Sequence, residues 1–135
     1  MKNIKIKEDV IPTIEELLHL YNDVHWTAYT DEPDVLEKAI KNSLKVWTAW
    51  DDNQLVGLAR VVGDGYTIIY IQDILVLASY QRSGIGSKLL QMILKEYEAI
   101  RQVVLMTGNE EKTVNYYEKN GLVNIADYDG VVFVK

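Results

Sequence analysis

The sequence predicts an α/β (or α+β) domain built on a mixed sheet of about six or seven strands flanked by four helices. Three observations lead there. Strand-type and helix-type stretches succeed one another as strand, two helices, three strands, helix, strand, helix, then one or two strands. Helix starts and stops carry their own chemical signals. The 135 residues contain no repeat, no low-complexity run and no linker-like composition, so one domain over residues 1–135 is expected.

The elements follow in order. Residues 2–7 alternate polar and apolar at period two, a first strand. Thr13-Ile14-Glu15-Glu16 is a capping box, and Ile14, Leu17, Leu18, Tyr21 and Val24 then keep helical spacing. A second helix starts after Asp31, with Pro33 in its first turn and Val35, Leu36, Ala39, Ile40 and Leu44 on one face. Val46–Trp50 and Leu55–Val62 form a hairpin over Asp51-Asp52-Asn53. Gly63-Asp64-Gly65 turns the chain into the β-branched run Thr67–Val76. Ile85, Leu89, Leu90, Ile93, Leu94 and Tyr97 mark a third helix, and Val103–Met106 reads as a short central strand. Residues 111–120 make a fourth helix stopped by Gly121. A turn at Asp129-Gly130 precedes a last strand, Val131–Val134.

Composition removes several function classes. The formal net charge is −6 with no basic block, which argues against nucleic acid and against an anionic membrane surface. Apolar stretches are far shorter than the roughly 20 residues of a membrane span, and the amino terminus has no apolar signal-peptide segment. With no cysteine, disulfide scaffolds, thiol nucleophiles and cysteine zinc sites are out. His19 and His25 lie six apart, without metal-ligand spacing, so no metal is expected. The expectation is a cytoplasmic, acidic domain with no nucleic-acid or membrane partner.

The informative segment joins the Thr67–Val76 strand to the third helix: Gln81-Arg82-Ser83-Gly84-Ile85-Gly86-Ser87. Backbone N–H groups of a first helical turn have no helical acceptor and converge at the positive end of the helix dipole. Glycines let an anion come close, and Arg82, Ser83 and Ser87 add side-chain donors. Both common nucleotide fingerprints fail. Leu89 stands where a Rossmann motif needs glycine, and Gly86 is followed by Ser87-Lys88 where a Walker A loop needs Lys-Ser/Thr. Alone, the two glycines read equally well as an ordinary strand-to-helix turn.

Their context is more specific. Asp73-Ile74-Leu75-Val76, then Gln81-x-x-Gly84-x-Gly86, then the Lys88–Tyr97 helix resembles the acetyl-coenzyme A signature of the GNAT superfamily of N-acetyltransferases. Asn115-Tyr116-Tyr117-Glu118-Lys119-Asn120-Gly121-Leu122 resembles that family's late helix. The likeness covers about Val46 to Leu122. Ala78 departs from a common proline and Leu122 from the usual phenylalanine.

The resemblance implies a mostly antiparallel sheet and acetyl-coenzyme A as co-substrate. Its pyrophosphate would sit on Gln81, Arg82, Ser83, Gly84, Ile85, Gly86 and Ser87. The pantetheine arm would pair with backbone around Ile74, Leu75 and Val76, and the Leu75 or Val76 N–H would face the thioester carbonyl. Family members usually bulge this strand, a feature that one sequence does not reveal. Tyr117, immediately before Glu118-Lys119-x-Gly121, matches the family's acid for the departing thiolate; packing is its other reading. Asp73 is a candidate base, often acting through water, or else a structural carboxylate. Tyr70, Asp64 and His25 are further candidates. The acceptor is expected to be a primary amine of a small molecule or a peptide. Trp26 and Tyr29, with Asp31 and Glu32 beside them, and Tyr66 in the Gly63–Tyr66 turn are the candidate acceptor-binding residues. Leu55–Val62 and these aromatics also resemble small arylalkylamine-type members; alternatively, Trp26 and Tyr29 plug the edge of the core. A homodimer is left open, as is a coenzyme A-binding sensor without transferase activity on the same fold.

Overall fold

A computed structural model describes residues 3–135; Lys2, at the start of the expected first strand, lies outside the described residues. The chain divides into two compact units, Met1–Leu105 and Met106–Lys135.

The first unit holds the sheet. In chain order it contains β1 (Ile4–Glu8), α1 (Ile14–Asp23), the single turn α2 (Thr27–Thr30), α3 (Pro33–Lys41), β2 (Lys45–Asp51), β3 (Gln54–Gly63) and β4 (Ile68–Val76). A 3₁₀ turn over Ala78–Tyr80, α4 (Ile85–Glu96) and β5 (Gln102–Val104) follow. The strands lie side by side in sequence order, antiparallel from β1 to β4, with β5 added parallel to β4.

Each helix start follows from local chemistry. The Thr13 N–H donates to Glu16 Oε1 at 2.9 Å and the Glu16 N–H donates to Thr13 Oγ1 at 3.2 Å, so the capping box forms. α1 stops at a left-handed His25 (φ 64°). The His25 N–H bonds the Asn22 carbonyl and the Trp26 N–H bonds the Tyr21 carbonyl, the paired closure usually built on glycine. That closure turns the chain sharply into α2. The sequence predicts no helix between α1 and α3, so α2 is an addition to the four expected.

Both sheet faces are covered. Leu17, Leu20 and Tyr21 of α1 and Leu36 and Ile40 of α3 are buried, and α1 packs on β3 and β4. On α4, Ile85, Leu89, Leu90 and Ile93 are buried against the same two strands. A Cβ on Gly57 would come within 3.3 Å of Ile85 Cγ2, so β3 is kept small where α4 starts. Gly57 and Arg60 are an odd number of residues apart and therefore face opposite sides: α4 covers one face, and α1–α3 cover the other.

The second unit contains α5 (Glu111–Lys119) and a 3₁₀ turn over Ile125–Tyr128. α5 closes as expected at Gly121, where φ is 89°. The Gly121 N–H bonds the Glu118 carbonyl, and the Leu122 N–H bonds the Tyr117 carbonyl.

The strand count differs from the expectation. Five strands form among the described residues, where six or seven were expected. Val131–Val134 has strand-type residues but forms no strand, and its side chains are exposed. Composition favours a strand only where a neighbour supplies the ladder. Val103–Met106, read as central, contributes only its first two residues to β5, the last strand of the sheet.

Candidate active site

β4 organises the site. Its pairing with β3 sets Val76, Leu75, Ile74 and Asp73 opposite Gly57, Leu58, Ala59 and Arg60, then resumes with Ile71 opposite Val61. Gln72 is therefore an extra residue, a β-bulge in the middle of the strand. On its other side β4 pairs with β5 only through Ile68–Tyr70. Among the described residues, no strand lies beside Ile71–Val76 there.

The open half of β4 has a definite hydrogen-bonding direction. The Leu77 N–H donates to the Val56 carbonyl at 2.9 Å. Antiparallel alternation then turns the polar groups of Leu75 and Asp73 toward β3, and those of Ile74 and Val76 toward the open side. The Val76 carbonyl accepts from Gln81 Nε2 at 3.0 Å, which brings the start of the glycine loop onto this edge.

That loop is built for close approach. The Ala78 N–H donates to Asp23 Oδ2 at 2.6 Å, and the Ser83 hydroxyl donates to the Tyr80 carbonyl. Arg82 (φ 64°) and Gly84 (φ 88°) are both left-handed, and Gly84 caps α4 without a side chain. The first helical bond runs from the Lys88 N–H to the Gly84 carbonyl, so the N–H groups of Ile85 and Gly86 have no acceptor within the helix. A Cβ on Gly84 would meet nothing within 4 Å, and one on Gly86 only Val76 Cγ2 at 3.8 Å. The protein's own packing thus leaves room for a side chain at both glycines. The space above them suits an anion approaching backbone amides.

On the α1–α3 face, Asp73 is the centre of a buried polar cluster. It is 2% exposed, and Arg60, directly across the sheet, is 6% exposed. Arg60 Nε lies 2.5 Å from Asp73 Oδ2. The Tyr21 hydroxyl donates to Asp73 Oδ2 and the Tyr29 hydroxyl to Asp73 Oδ1, each at 2.9 Å. The Tyr29 oxygen accepts from Gln72 Nε2 at 3.1 Å and from Arg60 Nη2 at 3.4 Å. Arg60 Nη1 reaches Ser43 Oγ at 3.3 Å. Burial, reinforced by the Asp73 carboxylate, pushes the Tyr21 hydroxyl far above the usual tyrosine range, so it stays a donor. Burial opposes the Arg60 charge, but Asp73 outweighs it and the guanidinium is held more firmly protonated.

The candidate acceptor residues divide. Trp26 and Tyr29 share a ring cluster with Tyr21, with centroids at 5.9 Å (Trp26–Tyr21), 5.1 Å (Tyr21–Tyr29) and 6.2 Å (Trp26–Tyr29). Tyr66 is 88% exposed and is not brought to them. Its turn, capped by Asp64, lies at the end of the β3–β4 hairpin opposite Val76. Asp64 accepts from the N–H groups of Tyr66, Thr67 and Ile68 and from the Thr67 hydroxyl, which hold its carboxyl well below the usual range. His25 is an exposed helix stop, and Tyr70 sits where β4 pairs with β5. In the second unit, Tyr117 is half-buried on α5, edge-on to Tyr116 at 5.2 Å. Burial, with a smaller contribution from Tyr116, raises its hydroxyl above the ordinary tyrosine value. Among the described residues no group of three His, Asp or Glu side chains could hold a metal ion, and no helix is long and apolar enough to cross a membrane.

Three side chains of this polar cluster escaped the sequence reading: Arg60, Tyr21 and Gln72. Arg60 did leave a signal, as a lone charge inside the apolar run Leu55–Val62. A charge placed there needs a buried partner.

A bulged strand, open along half of one edge, thus leads into a glycine-cleared helix start. Comparison with known proteins shows the family. Residues 42–123 match the acetyltransferase (GNAT) domain family, and this chain belongs to it. A GNAT-family acetyltransferase from Streptococcus pneumoniae TIGR4 is similar over 98% of both chains, at 39% identity and a TM-score of 0.85. A Gibberella zeae protein named as an acetyltransferase is 31% identical over 80 residues. This chain spans 44% of the length of that protein and 60% of an N-acetyltransferase-like relative from Prochlorococcus marinus. An aminoglycoside N-acetyltransferase in complex with coenzyme A shares the fold at 16% identity and a TM-score of 0.72, over all of this chain and 95% of that one.

Proposed function

We propose that this chain transfers the acetyl group of acetyl-coenzyme A to a primary amine of a small molecule or peptide, with both units acting as one acetyltransferase domain. The family match, which runs from the first unit into the second, supports the single domain. The observation that carries the reading is the β4 edge. Ile74 and Val76 offer backbone partners to the pantetheine amides, and the Gly84–Ser87 amides take up the pyrophosphate, with Arg82 as a cation beside it. The coenzyme A complex of the aminoglycoside N-acetyltransferase, a protein of the same fold, supports that choice of donor.

The chemistry divides among few groups. The amine nitrogen attacks the thioester carbonyl, the carbon–sulfur bond breaks, and the amine's extra proton must leave. The Val76 N–H, turned to the open side, is the donor for the charge that develops on the carbonyl oxygen; the Leu75 N–H is turned to β3. Tyr117 protonates the thiolate. Its raised pKa keeps the proton on the hydroxyl at neutral pH, and its place before Glu118-Lys119-x-Gly121 matches the family's acid. Both carboxylate oxygens of Asp73 are engaged by Arg60, Tyr21 and Tyr29, which favours its structural role over direct proton abstraction. In this reading the amine's proton passes to water. Trp26 and Tyr29 wall the acceptor, and Tyr66 is left out.

The test is an acetyl-transfer screen over arylalkylamines, alkylamines, aminoglycosides and lysine peptides, following release of free thiol, together with native mass spectrometry for coenzyme A binding. Thiol release dependent on one amine class supports transfer. Coenzyme A binding without transfer to any amine would make the chain a sensor, and absence of binding would remove the donor itself.

A further inference from the structure

We propose that the buried Arg60–Asp73 pair is a positioning device: it fixes the β4 bulge and, through the Tyr29 hydroxyl, holds α2 and its aromatic wall at the acceptor side of the site. For the acceptor the proposal rests on the acyl-transfer reading; for the position of α2 it does not.

The pair sits where the register changes. Asp73 is the last β4 residue in the upper register with β3, Arg60 is its partner, and the next residue toward the amino terminus is the bulged Gln72. A slip of one residue would carry Asp73 to the other face, into the apolar layer under α4. An unpaired carboxylate there is prohibitive. The ion pair therefore selects one register and one position for the extra residue.

The bulge has a visible consequence. Neighbours on a regular strand point to opposite faces. Here the side chains of Gln72 and Asp73 both reach the Tyr29 hydroxyl, at 3.1 and 2.9 Å. Re-aiming a side chain is what a bulge does. The Arg60 guanidinium completes the hold, 3.4 Å from the Tyr29 oxygen and 5.8 Å from its ring, and its other arm reaches Ser43 just after α3. α2 needs such a tether. It is one turn long, has no side-chain cap and buries no residue, and a helix that short has no stability of its own.

Buried ion pairs usually add little stability relative to apolar residues of similar size. Replacing this pair with apolar side chains should leave the fold intact and lose the positioning. Two variants test it, Tyr29→Phe and the double substitution Arg60→Met with Asp73→Leu. Trp26 reports on α2, because it is part-exposed while Trp47 and Trp50 are buried. Both variants should show greater acrylamide quenching of tryptophan fluorescence than the wild type. Tyr29→Phe, which keeps the ion pair and the bulge, should hold coenzyme A affinity within about twofold, and the double variant, which frees the bulge, should bind it more weakly. The KM for phenethylamine should rise roughly tenfold, the scale of one lost hydrogen bond. The triple variant should be no worse than the double, since both cuts sever one link.

Wild-type quenching in a folded double variant overturns the proposal, and so does a triple variant in which the effects multiply. If the double variant does not fold, Tyr29→Phe and Gln72→Ala decide in the same two assays. Failure of the wild type to acetylate phenethylamine would count against the proposed acceptor class, and quenching would still decide whether the pair positions α2.

Discussion

The two glycines of the loop should respond to alanine with opposite changes in stability and the same change in binding. Gly86 is the second residue of α4, and its φ is not left-handed. A new Cβ there meets only Val76 Cγ2, at an ordinary 3.8 Å. Alanine is better than glycine in a helix by up to about 1 kcal/mol, and the first turn should realise part of that. Gly86→Ala should therefore raise the melting temperature by about 1–4 °C. Gly84→Ala meets no atom either, but at φ 88° the alanine pays a left-handed penalty of about 1–2 kcal/mol, so this variant should melt lower. Both methyl groups intrude where the anion must approach the amides. Losing one charge-assisted hydrogen bond is worth about 1.5–3 kcal/mol, so coenzyme A should bind at least about tenfold more weakly to each. Differential scanning calorimetry and isothermal titration with coenzyme A read the two effects separately. A Gly86→Ala protein that is more stable and binds coenzyme A as tightly as the wild type would refute the placement of the pyrophosphate.

Tyr117→Phe should lower kcat by roughly 100-fold and leave the dissociation constant for coenzyme A unchanged, because it removes a proton donor and no binding surface. Wild-type turnover in steady-state kinetics would assign Tyr117 to packing. Trp26→Ala should raise the KM of the amine and spare that of acetyl-coenzyme A; equal weakening of both would make the tryptophan part of the core. Asp64 has a depressed pKa in the folded chain, so its stabilising bonds are present above the unfolded carboxylate pKa of about 3.9 and are lost as pH falls toward the folded value. Asp64→Asn should accordingly unfold at lower urea than the wild type at pH 7, with the gap beginning to shrink as pH falls through about 3.9 and closing only toward the depressed folded pKa. A gap as large at pH 3 as at pH 7 would mean that the carboxylate charge contributes nothing.

What could be read from the sequence was what local chemistry decides. The capping box at Thr13 and Glu16, the glycine stop at Gly121 and the turn residues before β3 act within a few residues, and each formed where expected. The glycine loop was legible for the same reason, since a helix start and its amides are local. The strand count was not, because Val131–Val134 has strand composition whether or not a neighbour pairs with it. Nor was the bulge. Gln72-Asp73 has no peculiarity of its own, and the extra residue exists only in the register between β4 and β3. Asp73 shows the same limit: a carboxylate on a strand reads equally well as a base or as a structural group until its partners are known. The partners came from four other elements or their flanks, Tyr21 from α1, Tyr29 from α2, Ser43 through Arg60 from the end of α3, and Arg60 itself from β3.

The open edge of β4 poses a physical problem that the glycine loop resolves. A half-strand with outward N–H and C=O groups is an invitation to pair with any passing strand. This one belongs to an inner strand, flanked by β3 along its length and by β5 only at its start. The Gln81 amide satisfies one carbonyl of that edge from a side chain, at Val76. A side-chain amide is a reversible stand-in for a backbone partner, and swinging it away requires no change in the strand. The residue that opens the glycine loop thus also guards the strand edge, so in the proposed reading a ligand bearing both a pyrophosphate and an amide-bearing arm would engage the two features through one displacement. A nucleotide alone would use only the loop, and an extended peptide alone only the edge. In the proposed reading, the joint geometry would favour a pantetheine thioester more strongly than either half alone.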